Sequence, residues 1–426
     1  MKVQGVASLG VAQGLALLAA LGGAVAYATW LDAAGLAVWA LALGAGRAAM
    51  LLVDGGFKAA LVRHPEGVTP GVERQLARAS AAVALVLSML VLPAAGLAVT
   101  HAGVATPDAA LVACSVLAYV LSHALSLVSL ARLERAGRFD LVGRAEAGAI
   151  LLEFALPALL MVLGLQPWLA LTAGVVLGRF ARAVLIMNGA RVAPAAANAQ
   201  ASTTVPWGDG LAMQGIAALS MVRDQMHLWL VVPWFGASWA GAYAFALMAC
   251  ALASQVLVGT MTRVAVPALR PLAPKRRALR AARALRRLAL PTLPLLALTL
   301  PVLGWADAQL WDGRWQLALT VLPGLLLRML LGLPLAVLAP WLAVALPPAC
   351  AARLHGRWTL VEVLLACLAL AVLGPTGLAV SWAVGGLLGT LMFAAALRTH
   401  GLPLFLRALV RAPRRPGRLR PVLPWA

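Results

Sequence analysis

Residues 36–63 read LAVWALALGAGRAAMLLVDGGFKAALVR. From Leu36 to Val53 every residue is apolar or glycine except Arg47. A run of about 20 such residues is what an α-helix needs to cross a ~30 Å hydrocarbon core. A guanidinium near the middle of that core costs about 2.5–3.5 kcal/mol on insertion scales, so it faces protein or a wetted cavity rather than lipid. The run ends at Asp54-Gly55-Gly56 and enters a short basic stretch with Lys58 and Arg63.

The same pattern recurs along the chain. Of its 426 residues 63% are hydrophobic and 11% charged, against about 25% charged in soluble domains. The apolar runs are continuous, without the period-two alternation of a membrane β-barrel. The fold expected is an all-α polytopic membrane protein with about 12 transmembrane helices, in two six-helix halves around a central cavity. The spans fall near 7–30, 36–56, 80–99, 108–130, 147–165 and 168–187. In the second half they fall near 209–232, 238–262, 288–305, 316–340, 358–373 and 376–397, with the proline-rich 333–348 disturbing the tenth. The expected organisation is an N-terminal half (1–190), a cytoplasmic Ala/Pro/Ser/Thr-rich linker (191–208), a C-terminal half (209–397) and a basic tail (398–426).

The formal charge of +20 is distributed in a way that argues against nucleic acid. Basic residues gather in alternate connections, at 57–79, 131–146, 188–208, 263–287 and 351–357, and in the tail. That is the positive-inside pattern, with anionic lipid headgroups as the partner, and it places both termini in the cytoplasm. The first hydrophobic segment reads as a retained helix, with no A-x-A-like cleavage site behind it. Trp30, Trp168, Trp234, Trp239, Trp305, Trp311 and Trp315 fall at the opposite ends of the spans, as an interfacial belt would. Residues 275–289 place Arg276, Arg280, Arg283 and Arg287 on one helical face, with Leu279, Ala282 and Leu285 largely opposite. This reads as a basic amphipathic helix lying on the membrane surface. A short repeat joins the halves: AGLAVWAL at Ala34–Leu41 resembles AGAYAFAL at Ala240–Leu247, and Ala60-Leu61 is echoed by Ala268-Leu269.

Three arginines lie deep in apolar segments: Arg47, Arg223 and Arg328. Guanidinium binds phosphate oxygens in a bidentate fork, so these residues, with His227, are the candidates for a cationic substrate cavity. Arg223 and His227 are four apart and share a helical face, whereas Asp224 points about 100° away from Arg223. The competing interpretation is structural, with Arg47 paired to a carboxylate such as Asp54, and Arg223 and Arg328 in interhelical polar clusters. Asp54, Asp224, Glu153 and Glu362 are candidates for ion coupling or for structural polar contacts, Glu153 and Glu362 being expected near solvated helix ends. Arg179 and Arg182 are expected to snorkel from the end of the sixth span. His123 is expected in the core.

No catalytic constellation accompanies them. Cys114, Cys250, Cys350 and Cys367 lack metal-ligand spacing, and there is no phosphate-cradling glycine loop or nucleophile elbow. Neither an enzyme, a metal site nor a cofactor is expected.

The stretches 53–64 and 223–270 carry a resemblance. Asp54-Gly55-Gly56-Phe57 through Ala60-Leu61-Val62-Arg63 is similar to the D-x-G-hydrophobic…A-hydrophobic-hydrophobic-R ending of the second helix in Wzx-type polysaccharide flippases of the MOP superfamily. Asp224, Gly241-Ala242-Tyr243, Pro267-Ala268-Leu269 and Arg138-Phe139 stand where that family has similar elements. The asparagine usual ahead of the seventh-helix aspartate is absent, with Ser220 to Arg223 in its place. The resemblance implies an inner-membrane flippase that moves an undecaprenyl-pyrophosphate-linked oligosaccharide, a precursor of cell-surface polysaccharide, by alternating access. Its implied partners are that lipid-linked anionic glycan, membrane lipids and other glycan-assembly proteins.

Three alternatives stand beside it. A MATE-like or other secondary exporter of small molecules would share the architecture. A membrane glycan polymerase or ligase would need a larger outer loop than any here. A major-facilitator transporter would carry G-x-x-x-D-R-x-G-R after its second helix, which this chain lacks.

Overall fold

The computed structural model describes residues 19, 22–63, 69–101, 106–192, 207–254, 265, 269 and 272–410. Most of the linker 191–208, the Pro267-Ala268 pair of the seventh-helix motif and the tail from Arg411 onward lie outside them. The described chain is helical, as the uninterrupted apolar runs require. Among the described residues seven helices are long and apolar enough to cross a membrane, and eight if one bent pair is a single span. The chain divides into two compact units, Met1–Ala244 and Phe245–Ala426.

In the first unit a helix over 22–30 (α1) is followed by α2 (Ala33–Asp54), α3 (Phe57–Arg63), α4 (Pro70–His101) and α5 (Thr106–Arg135). Next come α6 (Phe139–Val162), α7 (Pro167–Val192) and α8 (Trp207–Ser254), the last of which runs past the unit boundary. Asp32 starts α2 by accepting the Gly35 N–H at 2.7 Å, the ordinary N-cap bond. Gly55 ends it at φ 52°, a conformation that suits glycine. Asp54 then accepts the Lys58 N–H at 3.2 Å, which starts α3. A side chain at Gly56 would run into the Gly210 main chain of α8. The D-G-G motif is thus a helix stop, a helix start and a backbone crossing in three residues.

Helix α6 contains a π turn at Leu151–Ala155, and its cause is in the sequence. Pro157 has no N–H, so the Glu153 carbonyl loses the donor four residues on. Tyr27 supplies a substitute, its hydroxyl donating to that carbonyl at 2.6 Å. Helix α7 packs close against α6 through the spacing Gly174-x-x-x-Gly178, small residues that let helices approach in lipid. A Cβ at Gly174 would strike the Pro157 ring, and one at Gly178 would come within 2.8 Å of the Ala149 carbonyl and of Glu153 Cγ.

Helix α8 folds back on itself. His227 and Tyr243 stack with ring centroids 6.4 Å apart, where 16 residues of straight helix would separate them by about 24 Å. The reversal sits at Pro233 and Gly236 (φ 79°) and supplies two of the expected spans.

The second unit holds α9 (Pro274–Leu310), α10 (Gln316–Gly332), α11 (Leu335–Ala345), α12 (Pro348–Ala396) and α13 (Leu402–Val410). Helices α10 and α11 form the bent pair, 41° apart, so the expected tenth span (316–340) is broken where the prolines cluster. Helix α12 is a second hairpin, reversed at Gly374 (φ 67°) and Pro375. Trp358 Nε1 donates to the Gly385 carbonyl at 3.0 Å, 27 residues along.

Two sequence expectations are corrected here. Residues 275–289 do not form a separate surface helix but are the beginning of α9, continuous with the ninth span. Their alanine face (Ala278, Ala281, Ala282, Ala284) with Leu285 is buried, and Arg286 holds the Leu409 carbonyl at the end of α13. Helix–helix packing has claimed the face that a surface helix would give to lipid, while Arg276 and Arg283 stay exposed. The tryptophan belt is also smaller than expected. Trp311 and Trp315 are buried against Phe245, with centroids 5.5 and 4.7 Å away, whereas Trp30, Trp234 and Trp305 are exposed.

Candidate functional site

One cluster of charged residues in the first unit gathers around buried Glu153, at the centre of the π turn. Arg179 on α7 forms an ion pair with it, Nη2 to Oε2 at 2.8 Å. The same guanidinium donates to the Tyr119 hydroxyl at 2.7 Å and lies 3.8 Å from the centroid of that ring. One turn along α7, Arg182 is buried and donates to Glu146 at 2.7 Å. Arg179 and Arg182 therefore do not snorkel, and Glu153, 5% exposed, is not at a solvated helix end. Carboxylates on α6 face both arginines at helical spacing, which removes the need to reach water.

Arg47 joins this cluster from α2. Its neighbour Gly46 packs on the Tyr119 ring, the same ring that Arg179 lies against. Arg47 is half-buried, and among the described residues no carboxylate lies within ion-pair distance of it. The expected partner Asp54 is engaged elsewhere, capping α3 and facing His123 Nε2 at 3.7 Å. Arg179 and Arg182 each have a carboxylate, Glu153 and Glu146, while half-buried Arg47 adds a cation that neither of them ion-pairs.

On α8, Arg223 is buried, 3% exposed, and donates to Ser220 Oγ at 2.8 Å. His227 is buried on the same face, stacked on Tyr243, and Asp224 is exposed as the helical geometry requires.

In the second unit Arg328 is closely held. Its Nη2 lies 3.3 Å from Glu362 Oε1, and its guanidinium lies 3.6 Å from the centroid of the Trp382 ring. Glu362 is 1% exposed, so it too departs from the expected helix-end solvation. Gly385 makes room for the glutamate: a Cβ there would sit 2.7 Å from Glu362 Cγ.

The structure therefore pairs two of the expected coupling residues, Glu153 and Glu362, with arginines, and pairs Asp54 with His123. Of the functional neighbours, the sequence reading missed Arg179, Tyr119, Tyr27 and Trp382. The available signals were Gly178 directly before Arg179, Pro157 four residues after Glu153, and the Gly385-Gly386 pair after Trp382. Among the described residues no cluster of His, Cys, Asp or Glu is able to hold a metal ion.

Long apolar helices with hairpin reversals and buried polar clusters define the class as a multi-pass, all-helical membrane protein. Solved structures agree on the fold. A lipid II flippase, MurJ, in an inward closed conformation aligns over 94% of this chain and 90% of its own, with 13% identity and a TM-score of 0.60. A MATE transporter in the straight conformation aligns over 94% and 95%, with 15% identity and a TM-score of 0.61. The MATE multidrug transporter DinF-BH aligns over 94% and 95%, with 14% identity and a TM-score of 0.58. No curated protein sequence matches. Residues 28–305 match the family described as "Polysaccharide biosynthesis protein", and the chain belongs to that family, the Wzx-type flippases.

Proposed function

We propose that this protein flips an undecaprenyl-pyrophosphate-linked oligosaccharide across the bacterial inner membrane by alternating access, with both termini in the cytoplasm. The observation that carries the site assignment is Arg47, a half-buried arginine in an apolar helix that makes no ion pair among the described residues and whose neighbour Gly46 packs on the Tyr119 ring held by Arg179. A cation held at membrane depth without its own carboxylate calls for a transient anionic partner. A pyrophosphate supplies one, with oxygens disposed for a guanidinium fork. The polyprenyl tail stays in lipid, and the site has only to replace water around the phosphates and sugars. Arg223 and His227 are the second candidate contact.

The functional test is surface glycan display in a deletion strain complemented with wild type, Arg47→Ala or Arg47→Ala with Arg223→Ala. The expected result is loss of surface glycan and build-up of lipid-linked precursor inside, at normal protein level. Unchanged glycan in the full deletion would overturn the flippase assignment in favour of small-molecule export.

A further inference from the structure

We propose that Glu153 and Glu362 are matched positions of an internal repeat, and that Arg179 and Arg328 are their interchangeable counter-charges, positioning residues rather than substrate contacts. This goes beyond the flippase reading and uses it only for one of the two readouts below.

The register supports the match. Glu153 and Glu362 are separated by 209 residues, and so are Tyr119 and Arg328. Gly178, which packs on Glu153, and Gly385, which packs on Glu362, are separated by 207. The repeat AGLAVWAL to AGAYAFAL runs at 206. Three helices of each unit thus follow one another at almost constant displacement: α5, α6 and α7 in the first, α10 and the two arms of α12 in the second.

Each unit solves the same problem, neutralising a buried glutamate, from the opposite side. In the first unit the arginine comes from α7, as Arg179, and the aromatic ring from α5, as Tyr119. In the second the arginine comes from α10, at the position matching Tyr119, and the ring comes from the second arm of α12, as Trp382. The position matching Arg179 is Gly386, and a Cβ there would sit 3.3 Å from Arg328 Cγ. In the second unit the arginine stands on the neighbouring helix, and glycine occupies the position that matches Arg179. Both guanidiniums lie against their ring at nearly equal distance, 3.8 and 3.6 Å to the centroid.

A counter-charge is dispensable when its carboxylate is removed with it, because the harm lies in leaving one buried charge alone. A substrate contact is not. The variants are therefore Arg328→Met, Glu362→Gln and both together, with Arg179→Met, Glu153→Gln and their double as the matching set. Membrane abundance and thermal stability in detergent are read alongside surface glycan. The expected result is a severalfold fall in abundance for each arginine single, and recovery of abundance and glycan in each double. Recovery of abundance without glycan would overturn the proposal, because the arginine would then be needed for transport itself. Recovery of neither would overturn it as well. Arg328→Tyr with Gly386→Arg rebuilds the first unit's arrangement in the second. Its membrane level is expected to exceed that of Arg328→Tyr alone, and a level at or below the single variant would overturn the repeat equivalence. Failure of the flippase assignment would show separately, as unchanged glycan in the full deletion, with abundance and stability still reporting on the pairs.

Discussion

The Tyr27 hydroxyl donates to the main-chain carbonyl of Glu153 across 2.6 Å, in the place of the hydrogen bond that Pro157 cannot make. That bond ties α1 to the π turn of α6 and fixes where the Glu153 side chain points. Tyr27→Phe leaves a buried carbonyl unsatisfied, a loss of about 1–3 kcal/mol. Its melting temperature in detergent is expected to fall. Adding Pro157→Ala restores a main-chain donor and is expected to recover part of the loss. A Tyr27→Phe protein as stable as wild type would contradict this account of the turn.

Gly178 and Gly385 are expected to resist even alanine. A Cβ at either would press within 2.8 or 2.7 Å of the glutamate it faces, in a helix contact with little room to relax. Overpacking of this kind costs about 1–3 kcal/mol. Gly215→Ala, on α8 where a Cβ meets nothing within 4 Å, serves as the control. Detergent melting of the three variants checks the ranking, and equal stability would show that the helices separate without penalty.

Asp54→Ala is expected to weaken the junction of α2 and α3 by about 1 kcal/mol through loss of the cap. It also leaves His123, 6% exposed, without its facing carboxylate. Asp54→Asn keeps an acceptor for the Lys58 N–H and is expected to lie between alanine and wild type. Proteolysis near residues 55–58 on native protein measures the opening of this junction.

Arg47 and Arg328 are expected to behave differently, although the sequence presents them alike. Arg328→Ala removes the counter-charge facing Glu362, and breaking a buried pair costs about 3–5 kcal/mol, so membrane abundance falls. Arg47→Ala removes a cation that makes no ion pair among the described residues, so abundance holds. Quantitative membrane immunoblotting separates the two, and an equal fall in both would remove the distinction.

The fold was readable because lipid imposes a coarse rule, the run of about 20 apolar residues, which Leu36–Val53 meets openly. The π turn is encoded by Pro157, yet its consequence depends on Tyr27, 126 residues away along the chain. For the site, position within long apolar runs singles out Arg47, Arg223 and Arg328 but does not reveal their surroundings. Arg328 and Glu362 are 34 residues apart and meet only because α12 runs alongside α10. Arg179 has the sequence position of a helix-end residue, while the carboxylate that holds it, Glu153, sits in the adjacent helix. Likewise the arginine-rich start of α9 has the pattern of a surface helix, and only α13, packed on its alanine face, shows otherwise.

The most direct test of the central claim is translocation by purified protein in proteoliposomes, using a fluorescent undecaprenyl-pyrophosphate oligosaccharide and following its accessibility to an impermeant quencher. Wild type is predicted to equilibrate the probe between leaflets, while Arg47→Ala, reconstituted at equal density, is predicted to slow it at least about tenfold, the effect of losing about 1.4 kcal/mol at the anion contact. Equal rates for wild type and Arg47→Ala, or no translocation by wild type above protein-free vesicles, would contradict the account.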